Sequence, residues 1–338
     1  MSEPVLQVQD LAVQYEIHQG SLLRPRIVSL KAVDGVSFEL QRGETLGVVG
    51  ESGCGKSTLA RAILGLVPAQ RGKVLWLGED LIQLDAEEVR KRRKEMQIVF
   101  QDPLASLNPR MMVGDIIAEP LWTFFPRIAR VQVQERVRGM MKMVGLLPNQ
   151  INRYPHEFSG GQCQRIGIAR ALVLNPKLII CDEPVSALDV SIQAQIINLL
   201  RDLQRKLKLS LIFIAHDLAV VRQISDRVMV MYLGRSMEVA QAEALYRKPL
   251  HPYTSALVRA VPIPDPRLAR LHHDTGLTDD MPSPLNPPTG CVFHTRCPYA
   301  VKRCELEVPA LRSMANGDWV ACHRAEELDL TVSPQHRL

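Results

Sequence analysis

The sequence predicts an α/β protein in which a parallel sheet is covered by helices. Short apolar runs bounded by polar or glycine residues recur along the chain and indicate buried strands. Stretches with helical spacing of apolar residues lie between them. Strands that alternate with helices are typical of parallel sheets, because parallel neighbours need a crossover connection. The chain has 338 residues, which is enough for two domains.

The elements that carry this prediction follow one another along the chain. Residues 4–17 alternate apolar and polar side chains and predict a strand. Residues 44–50 (ETLGVVG) predict a short strand that runs into a glycine-rich turn, and a helix is expected from Ser57. The remaining predicted elements are an amphipathic helix over 191–208 and strands over 178–183, 209–217 and 227–234.

Two regions depart from this rhythm. Residues from about 90 to 165 are mainly helical in pattern and rich in Met and Arg, which predicts an inserted helical subdomain. After about residue 240 prolines and cysteines become frequent, as in a loop-rich segment. We therefore expect one domain over 1–240 and a Cys/Pro-rich extension over 241–338.

Composition limits the classes of function. The net charge is +5, with 46% apolar and 23% charged residues, so nothing favours nucleic acid as a partner. The densest basic run, residues 89–96, is typical of a solvated helix face. The N-terminus lacks a signal-peptide pattern, and the apolar runs are too short to span a bilayer. Cys54, Cys163 and Cys181 are isolated in the sequence, and a reducing cytosol fits this best.

A phosphate-binding loop is predicted after the second strand. GESGCGKST has four residues between two glycines, followed by Lys and Ser. The glycines let backbone N–H groups turn toward phosphate oxygens, the lysine adds a cation, and the serine hydroxyl can bind magnesium. The following helix directs its positive end to the same anion. The predicted nucleotide-binding residues are Gly50, Ser52, Gly53, Cys54, Gly55, Lys56, Ser57 and Thr58.

Two acids follow the apolar strand that begins at Leu178. Asp182 ends a strand that we expect to be buried on both faces, where its carboxylate can hold hydrated magnesium beside the phosphate loop. Glu183 comes next and is expected to polarise an attacking water. A pair of surface acids is the alternative, which the phosphate loop upstream makes less favourable.

A second anion-seeking helix start is predicted at FSGGQCQ. Ser159 is a good N-cap, and Gly160 and Gly161 leave backbone N–H groups open, with Gln162 next. One nucleotide does not need two such cradles about a hundred residues apart. We therefore expect this second cradle to hold the nucleotide of another subunit, in a shared active site.

At these residues the sequence resembles the ATP-binding-cassette (ABC) ATPases, from residue 4 to about 240. The resemblance implies a P-loop, RecA-like core that binds ATP and Mg²⁺, the latter through Ser57, Gln101 and Asp182. It also implies that Tyr15 stacks on adenine, that Ser186–Asp189 contact the second subunit and that His216 senses the outer phosphate. Because both Glu183 and His216 are present, we expect this site to hydrolyse ATP.

Three classes of ABC ATPase are open at this point. A transporter motor docked on separate membrane subunits is the first. A soluble ATPase acting on ribosomes or DNA is the second, but it usually has two cassettes or a long coiled coil, and this chain has neither. A non-hydrolysing regulatory subunit is the third, and it conflicts with the intact Glu183 and His216.

Segments beyond the core resemble the ATPases of dipeptide and oligopeptide permeases. The segments are 101–121, 251–262 and 283–300, and residues 18–40 resemble the F-type subunit of dipeptide permeases. This resemblance implies a D-type paralogous ATPase as partner, two transmembrane permease subunits and an extracytoplasmic peptide-binding protein. It places the chain at the cytoplasmic face of the bacterial inner membrane. Oligopeptide or nickel import is the near alternative to dipeptide import.

Four cysteines in the extension form a separate cluster: Cys291, Cys297, Cys304 and Cys322, with five, six and seventeen residues between them. Disulfides conflict with a cytosolic motor, and apolar packing conflicts with the prolines and charges nearby. The tight cysteine pairs common in zinc sites are absent, whereas looser spacing can hold a [4Fe–4S] cluster. The resemblance supports that cluster. Zinc, with His294 and His323 as possible ligands, is the alternative. Either metal is expected to act as a structural staple.

Overall fold

The computed structural model describes residues 3–19, 26–261 and 281–332. The strands are β1 (Leu6–Gln19), β2 (Arg26–Leu40), β3 (Thr45–Val49), β4 (Arg71–Trp76), β5 (Glu79–Asp80), β6 (Met96–Val99), β7 (Leu178–Asp182), β8 (Ser210–Ala215), β9 (Arg227–Tyr232), β10 (Arg235–Gln241), β11 (Arg312–Ser313) and β12 (Trp319–Val320). The α-helices are α1 (Lys56–Ile63), α2 (Ala86–Arg93), α3 (Val113–Phe124), α4 (Arg130–Met143), α5 (Gly160–Leu172), α6 (Val190–Leu207), α7 (Leu218–Ile224), α8 (Ala242–Arg247), α9 (Pro252–Arg259) and α10 (Lys302–Leu306).

The chain divides into two compact units that do not follow its order in sequence. The first unit comprises Met1–Val5, Leu40–Thr45 and Gln83–Ala215, and the second comprises Leu6–Glu39, Leu46–Ile82 and His216–Leu338.

In the first unit, three parallel strands lie in the order β8-β7-β6. Every residue of β7 and β8 is buried, so the predicted strand with two buried faces before Asp182 is confirmed. Helix α3 packs against α4 and α5. The prediction for residues 90–165 is wrong at Met96–Val99, which form a strand. Pairing of Met96 with Leu178, and burial of both Met96 and Val99, override the local helical pattern there.

The second unit contains two sheets. One has the order β11-β12-β10-β9-β3 and is parallel only between β3 and β9, with Leu46 opposite Arg227. The other has the order β2-β1-β4-β5, in which β1 pairs antiparallel with β4. The strands predicted around Thr45 and Arg227, and the helix after the glycine turn, are confirmed. Antiparallel pairs such as β9 and β10 were not expected from the strand–helix alternation.

The extension is part of the second unit. Its strand β12 pairs with β10, with Val320 opposite Glu238. Glu238 is fully buried, and its carboxylate accepts hydrogen bonds of 2.9 Å from the backbone N–H groups of Leu250 and His251. Phe293 is buried against Tyr232 and Tyr253, with ring centroids 5.4 and 5.2 Å apart. The extension therefore packs an aromatic anchor into an existing core.

The surface elements agree with the composition. Most of the basic run 89–96, predicted as a solvated helix face, lies in α2, which ends at Arg93. Asp85 caps this helix, and Val89 is its only buried residue. Within residues 3–19, 26–261 and 281–332, none of the helices combines the length and apolar character needed to cross a bilayer.

Candidate functional site

The phosphate loop connects β3 to α1 and depends on glycine at two positions. Gly50 has φ of 156° and Gly55 has φ of 102°, both in the left-handed region. A Cβ at Gly50 would lie 2.2 Å from the Met231 carbonyl oxygen, and a Cβ at Gly55 would lie 2.0 Å from the Ala32 carbonyl oxygen. The loop is therefore pressed against backbone on its outer side, and only glycine fits there.

The loop holds its own lysine. Lys56 is buried, and its Nζ donates to the carbonyl oxygens of Gly50 at 2.7 Å and Glu51 at 3.0 Å. Burial raises the pKa of the Cys54 thiol, although the Lys56 cation opposes this shift, so Cys54 stays neutral within the loop. The predicted residues Ser52 and Gly53 are exposed, while Ser57 and Thr58 are half-buried in the first turn of α1. This arrangement is suited to an anion at the start of a helix.

The acids of the first unit stand at the end of β7. Asp182 is buried, whereas Glu183 leaves the strand with φ of 47°, a left-handed conformation that side chains other than glycine rarely adopt. Its backbone N–H donates to Ile214 on β8 at 3.0 Å. Gln101 Nε2 donates to Glu183 Oε2 at 3.0 Å, so the structure brings these two predicted residues together. The backbone at Glu183 is therefore strained, as is common at functional sites.

The predicted helix start at Ser159 is confirmed and carries a reciprocal cap. Ser159 Oγ accepts from the Gln162 N–H at 3.4 Å, and Gln162 Oε1 accepts from the Ser159 N–H at 3.0 Å. Ser159 and Gly160 are exposed. Gly161 is buried, and a Cβ there would lie 2.5 Å from Ile192 Cγ2. Gly161 thus permits close packing of α5 on α6, a role that sequence analysis missed.

The remaining predicted residues are described by the unit that carries them. Ser186 of the first unit donates its hydroxyl to the Glu183 carbonyl oxygen at 3.1 Å, so the predicted subunit-contact loop is joined to Glu183. Tyr15 of the second unit lies half-buried on β1. His216 of the same unit is exposed where the chain leaves β8.

The four cysteines of the extension line one small cavity in the second unit. Its volume is about 20 Å³, and His251, Phe293, His294 and His323 also line it. The backbone joins two of the cysteines, because the Cys291 N–H donates to the Cys304 carbonyl oxygen at 2.7 Å. One ring nitrogen of His294 lies 2.9 Å from the Cys291 carbonyl oxygen, and one of His323 lies 3.0 Å from that of Glu307. All seven cysteines of the chain are free of disulfides.

The thiols of Cys291, Cys297 and Cys322 are held in their neutral form, because the pKa of each is raised. The pKa of Cys297 is raised to about 12 and that of Cys322 to about 11, mainly by burial, with a smaller contribution from the neighbouring cysteines. Binding of a metal would release these protons. In the part of the chain that the structure describes, no group of three or more His, Cys, Asp or Glu side chains is arranged around a single metal position.

Sequence analysis also missed one residue of the phosphate loop, Glu51, and two residues that contact it, Tyr253 and Arg296. Glu51, the second residue of the loop, bonds to Arg296 and Tyr253 of the extension. Arg296 lies between two of the cysteines, and Tyr253 lies in the segment 251–262 that resembles peptide permeases. That resemblance was the only signal in the sequence, and it carried no role for either residue.

Comparison with known proteins places this geometry in context. Residues 33–186 match the ABC transporter family, and residues 237–304 match the C-terminal region of oligopeptide/dipeptide transporters. The oligopeptide transport ATP-binding protein OppF of Salmonella typhimurium is 63% identical over 309 residues, covering 91% of this chain and 92% of that protein. OppF of Escherichia coli is 60% identical over 326 residues, covering 96% and 97%.

A solved structure gives the same result for the core. The ATP-binding cassette MJ0796, as a dimer in a post-hydrolysis state with ADP and Pi, matches with a TM-score of 0.62 and 26% identity. The match covers 70% of this chain and 98% of that one. The predicted P-loop cassette fold is therefore confirmed.

Proposed function

This chain belongs to the ATP-binding proteins of ABC peptide transporters, ATPases coupled to transport, and we propose that it drives peptide import in a heterodimer with a paralogous ATPase. The observation that carries this proposal is a complete phosphate loop in a chain that matches peptide-transport ATP-binding proteins over nearly its whole length. We also propose residues 1–240 as the ATPase domain, with a helical subdomain at about 90–165, and 241–338 as the extension.

Each predicted residue receives a role toward Mg–ATP in this proposal. The backbone of residues 50–58 and Lys56 hold the phosphates, Tyr15 stacks on adenine, and Ser57, Gln101 and Asp182 hold magnesium. Glu183 polarises the attacking water, and the hydrogen bond from Gln101 supports this role because it orients the carboxylate. His216 contacts the outer phosphate.

The exposed start of α5 supports a shared site. Ser159 and Gly160 leave the surface of the first unit open to an anion from outside, and the capping box holds this turn in place. We assign Ser159, Gly160, Gly161 and Gln162 to the nucleotide of the partner ATPase. Gln162 already accepts a hydrogen bond from Ser159, so it acts mainly by holding the turn.

An apolar surface on the first unit supports docking to membrane subunits. Helices α3 and α4 enclose a cavity of about 460 Å³ lined by Met112, Trp122 and Val137. Trp122 is 42% exposed and Val131 is 67% exposed, so both side chains are accessible to a docking partner. We propose that a permease subunit docks here at the cytoplasmic face of the bacterial inner membrane, in a transporter whose two ATPases sit on two permease subunits and which an extracytoplasmic peptide-binding protein completes.

The names of the relatives bear on the cargo. Sequence analysis placed dipeptides first, whereas the Salmonella and Escherichia relatives are oligopeptide transport proteins. We therefore propose oligopeptides as the main cargo, with dipeptides as the alternative. Nickel import and a soluble role without transport rank below both, because neither is named among these relatives.

We further propose that the cysteine cavity holds a [4Fe–4S] cluster. One observation supports the fit: all four cysteines line the same cavity. Four cysteine thiolates are the usual ligands of such a cluster. When bound, the cluster would supply four iron–thiolate bonds that join Cys291, Cys297 and Cys304 to Cys322.

The cluster proposal is tested by anaerobic purification. A brown protein that absorbs near 400 nm and contains about four irons per chain is expected. A colourless preparation with stoichiometric zinc would exclude the cluster, while leaving a structural role for the metal. Replacing Cys322 by Ala should lower both the iron content and the melting temperature, whereas replacing the buried Cys181 of β7 should leave the iron content unchanged.

The transport proposal is tested by co-purification. The chain, a paralogous ATPase and two candidate permease subunits are expected to form one complex, whose ATPase activity rises when peptide-loaded binding protein is added. A four-subunit complex stimulated by nickel but not by peptide would support the metal alternative. Absence of any complex, together with robust hydrolysis by the isolated monomer, would refute the proposal.

A further inference from the structure

The phosphate loop of this chain is held at Glu51 from three sides. Its carbonyl oxygen accepts from Lys56 Nζ at 3.0 Å, and its N–H donates to the Tyr253 hydroxyl at 3.1 Å. Its carboxylate accepts from Arg296, whose Nη1 lies 2.8 Å from Oε1 and 3.1 Å from Oε2. Tyr253 and Arg296 belong to the extension, so most of this support comes from far along the chain.

The negative charge of Glu51 is compensated by the guanidinium of Arg296. A carboxylate next to a loop that binds phosphate repels the ligand unless a cation cancels its charge. The Arg296 side chain is only 6% exposed and that of Glu51 is 27% exposed, so solvent screens this pair incompletely. Because Arg296 pairs with Glu51, the loop carries no uncompensated negative charge at this position.

Arg296 is itself fixed by the aromatic core of the second unit. Its guanidinium lies over the Tyr232 ring at 5.8 Å from the centroid and donates to the Tyr232 hydroxyl at 3.3 Å. Its Nε is buried and has no hydrogen-bond partner among the residues that the structure describes, which leaves one donor unmet there. Such a donor is tolerated where the guanidinium serves another contact, here the one with Glu51.

The same aromatic core reaches the cysteine cavity. Phe293 lines that cavity and packs edge-on against Tyr232, with ring planes at 87°. Cys297 directly follows Arg296, and the Arg296 N–H donates to the Phe293 carbonyl oxygen at 3.0 Å. A structural change in the cysteine segment, residues 291–304, can therefore reach Glu51 by two routes. One is Arg296, which directly precedes Cys297, and the other is Phe293, which packs against Tyr232.

We propose that Arg296 and Tyr253 are positioning residues for the phosphate loop, through which the folded cysteine segment sets the affinity for ATP. This inference rests on the proposal that residues 50–58 bind ATP. It assigns the extension a role in nucleotide binding by its own chain, in addition to any contact with other subunits.

The proposed compensation of the Glu51 charge by Arg296 is tested by calorimetric titration of the full-length chain with Mg–ATP. Arg296→Met should weaken binding about fivefold or more, because it leaves the Glu51 carboxylate uncompensated. The double variant Glu51→Gln/Arg296→Met should return to within about twofold of wild type. If the double variant binds Mg–ATP as weakly as Arg296→Met, or if Arg296→Met binds it with wild-type affinity, charge compensation by Arg296 is overturned. Arg303→Ala, which breaks an exposed ion pair of α10, is the matched control.

The positioning role of Tyr253 is tested by removing only its hydroxyl, which accepts the hydrogen bond from the Glu51 N–H. Tyr253→Phe should weaken ATP binding about two- to fivefold and speed hydrogen exchange of the peptide that contains residues 50–58. This variant keeps the aromatic packing, so it decides the question even if Arg296→Met does not fold. Wild-type affinity and exchange in Tyr253→Phe would overturn the positioning role.

The link to the cysteine segment has its own test. Cys297→Ser should weaken ATP binding in the same direction, with little further loss when combined with Arg296→Met. Unchanged affinity in Cys297→Ser would remove the cysteine segment from the proposal. Lys56→Ala separates the two levels: if it still binds ATP, the proposed nucleotide site is wrong. If it abolishes binding while Arg296→Met and Tyr253→Phe match wild type, only the present inference is wrong.

Discussion

Replacement of Gly55 by alanine tests whether the phosphate loop is shaped by contact with backbone. Gly55 precedes α1 with φ of 102°, and a Cβ there would lie 2.0 Å from the Ala32 carbonyl oxygen. Gly78 has a similar φ of 86°, but no atom of the described residues lies within 4 Å of its Cβ position. Gly78→Ala is therefore a matched control that introduces the backbone strain without the clash.

The two variants should differ in stability by the cost of that clash. A left-handed alanine costs about 1–2 kcal/mol, which applies to both. Displacing the Ala32 carbonyl adds about 1–3 kcal/mol, as for other overpacked sites. We expect Gly78→Ala to lose about 1–2 kcal/mol of unfolding free energy and Gly55→Ala about 2–5 kcal/mol. Urea unfolding of the two full-length variants measures the difference.

The same substitution should also affect the ligand. Relief of the clash moves the loop, so backbone N–H groups lose their alignment with the phosphates. Loss of one charge-assisted hydrogen bond corresponds to about 10- to 100-fold weaker Mg–ATP binding in Gly55→Ala. Gly78→Ala should bind with wild-type affinity. If Gly55→Ala matches Gly78→Ala in both unfolding and binding, the loop does not depend on this contact.

Three further predictions concern hydrolysis, sharing of the site and pH. Glu183→Gln should bind Mg–ATP normally and reduce turnover of the assembled transporter by orders of magnitude; wild-type turnover would contradict its role. Ser159→Arg should reduce hydrolysis at the partner's site but leave ATP affinity at this chain's own loop unchanged, as separate titrations of the two ATPases would show. Burial raises the pKa of Glu238 to about 7, with the Asp318 charge adding to the shift, so the folded chain keeps a proton that the unfolded chain releases near pH 4.5. The stabilisation from the Glu238 carboxyl is therefore complete below pH 4.5 and is lost as the pH rises toward 7, by up to about 3 kcal/mol of unfolding free energy. Glu238→Gln should flatten this decline when urea unfolding is measured across that pH range. An equally steep decline in the variant would contradict the raised pKa of Glu238.

Local patterns accounted for much of the fold. The buried strands β7 and β8 and the glycine loop before α1 were predictable, because burial on both faces and backbone curvature leave direct marks on the sequence. Strand β6 was missed because four residues carry too little periodicity, and its pairing with β7 depends on residues about eighty positions away. Ser159 was predicted as the N-cap of α5, but the reciprocal hydrogen bond with Gln162 was not predicted, since Gln162 was assigned only to the partner's nucleotide.

The contacts of Glu51 could not be predicted in this way. Arg296 lies 245 residues from Glu51, and no local preference indicates which of the many arginines would reach it. The left-handed backbone of Glu183 was equally hidden, because glutamate has no preference for that conformation. Both features arise from tertiary packing around the site, where local preference and final geometry disagree.

The short strands of the extension have a consequence for solubility. Strand β10 has β9 on one side, and without the extension its other side would present unpaired N–H and C=O groups to any passing strand. Strands β12 and β11 cover that side, and each is only two residues long. The sheet therefore ends at an edge strand of two residues, which is too short to pair with a strand of another chain. A protein truncated before Trp319 would expose the longer β10 and should self-associate through it.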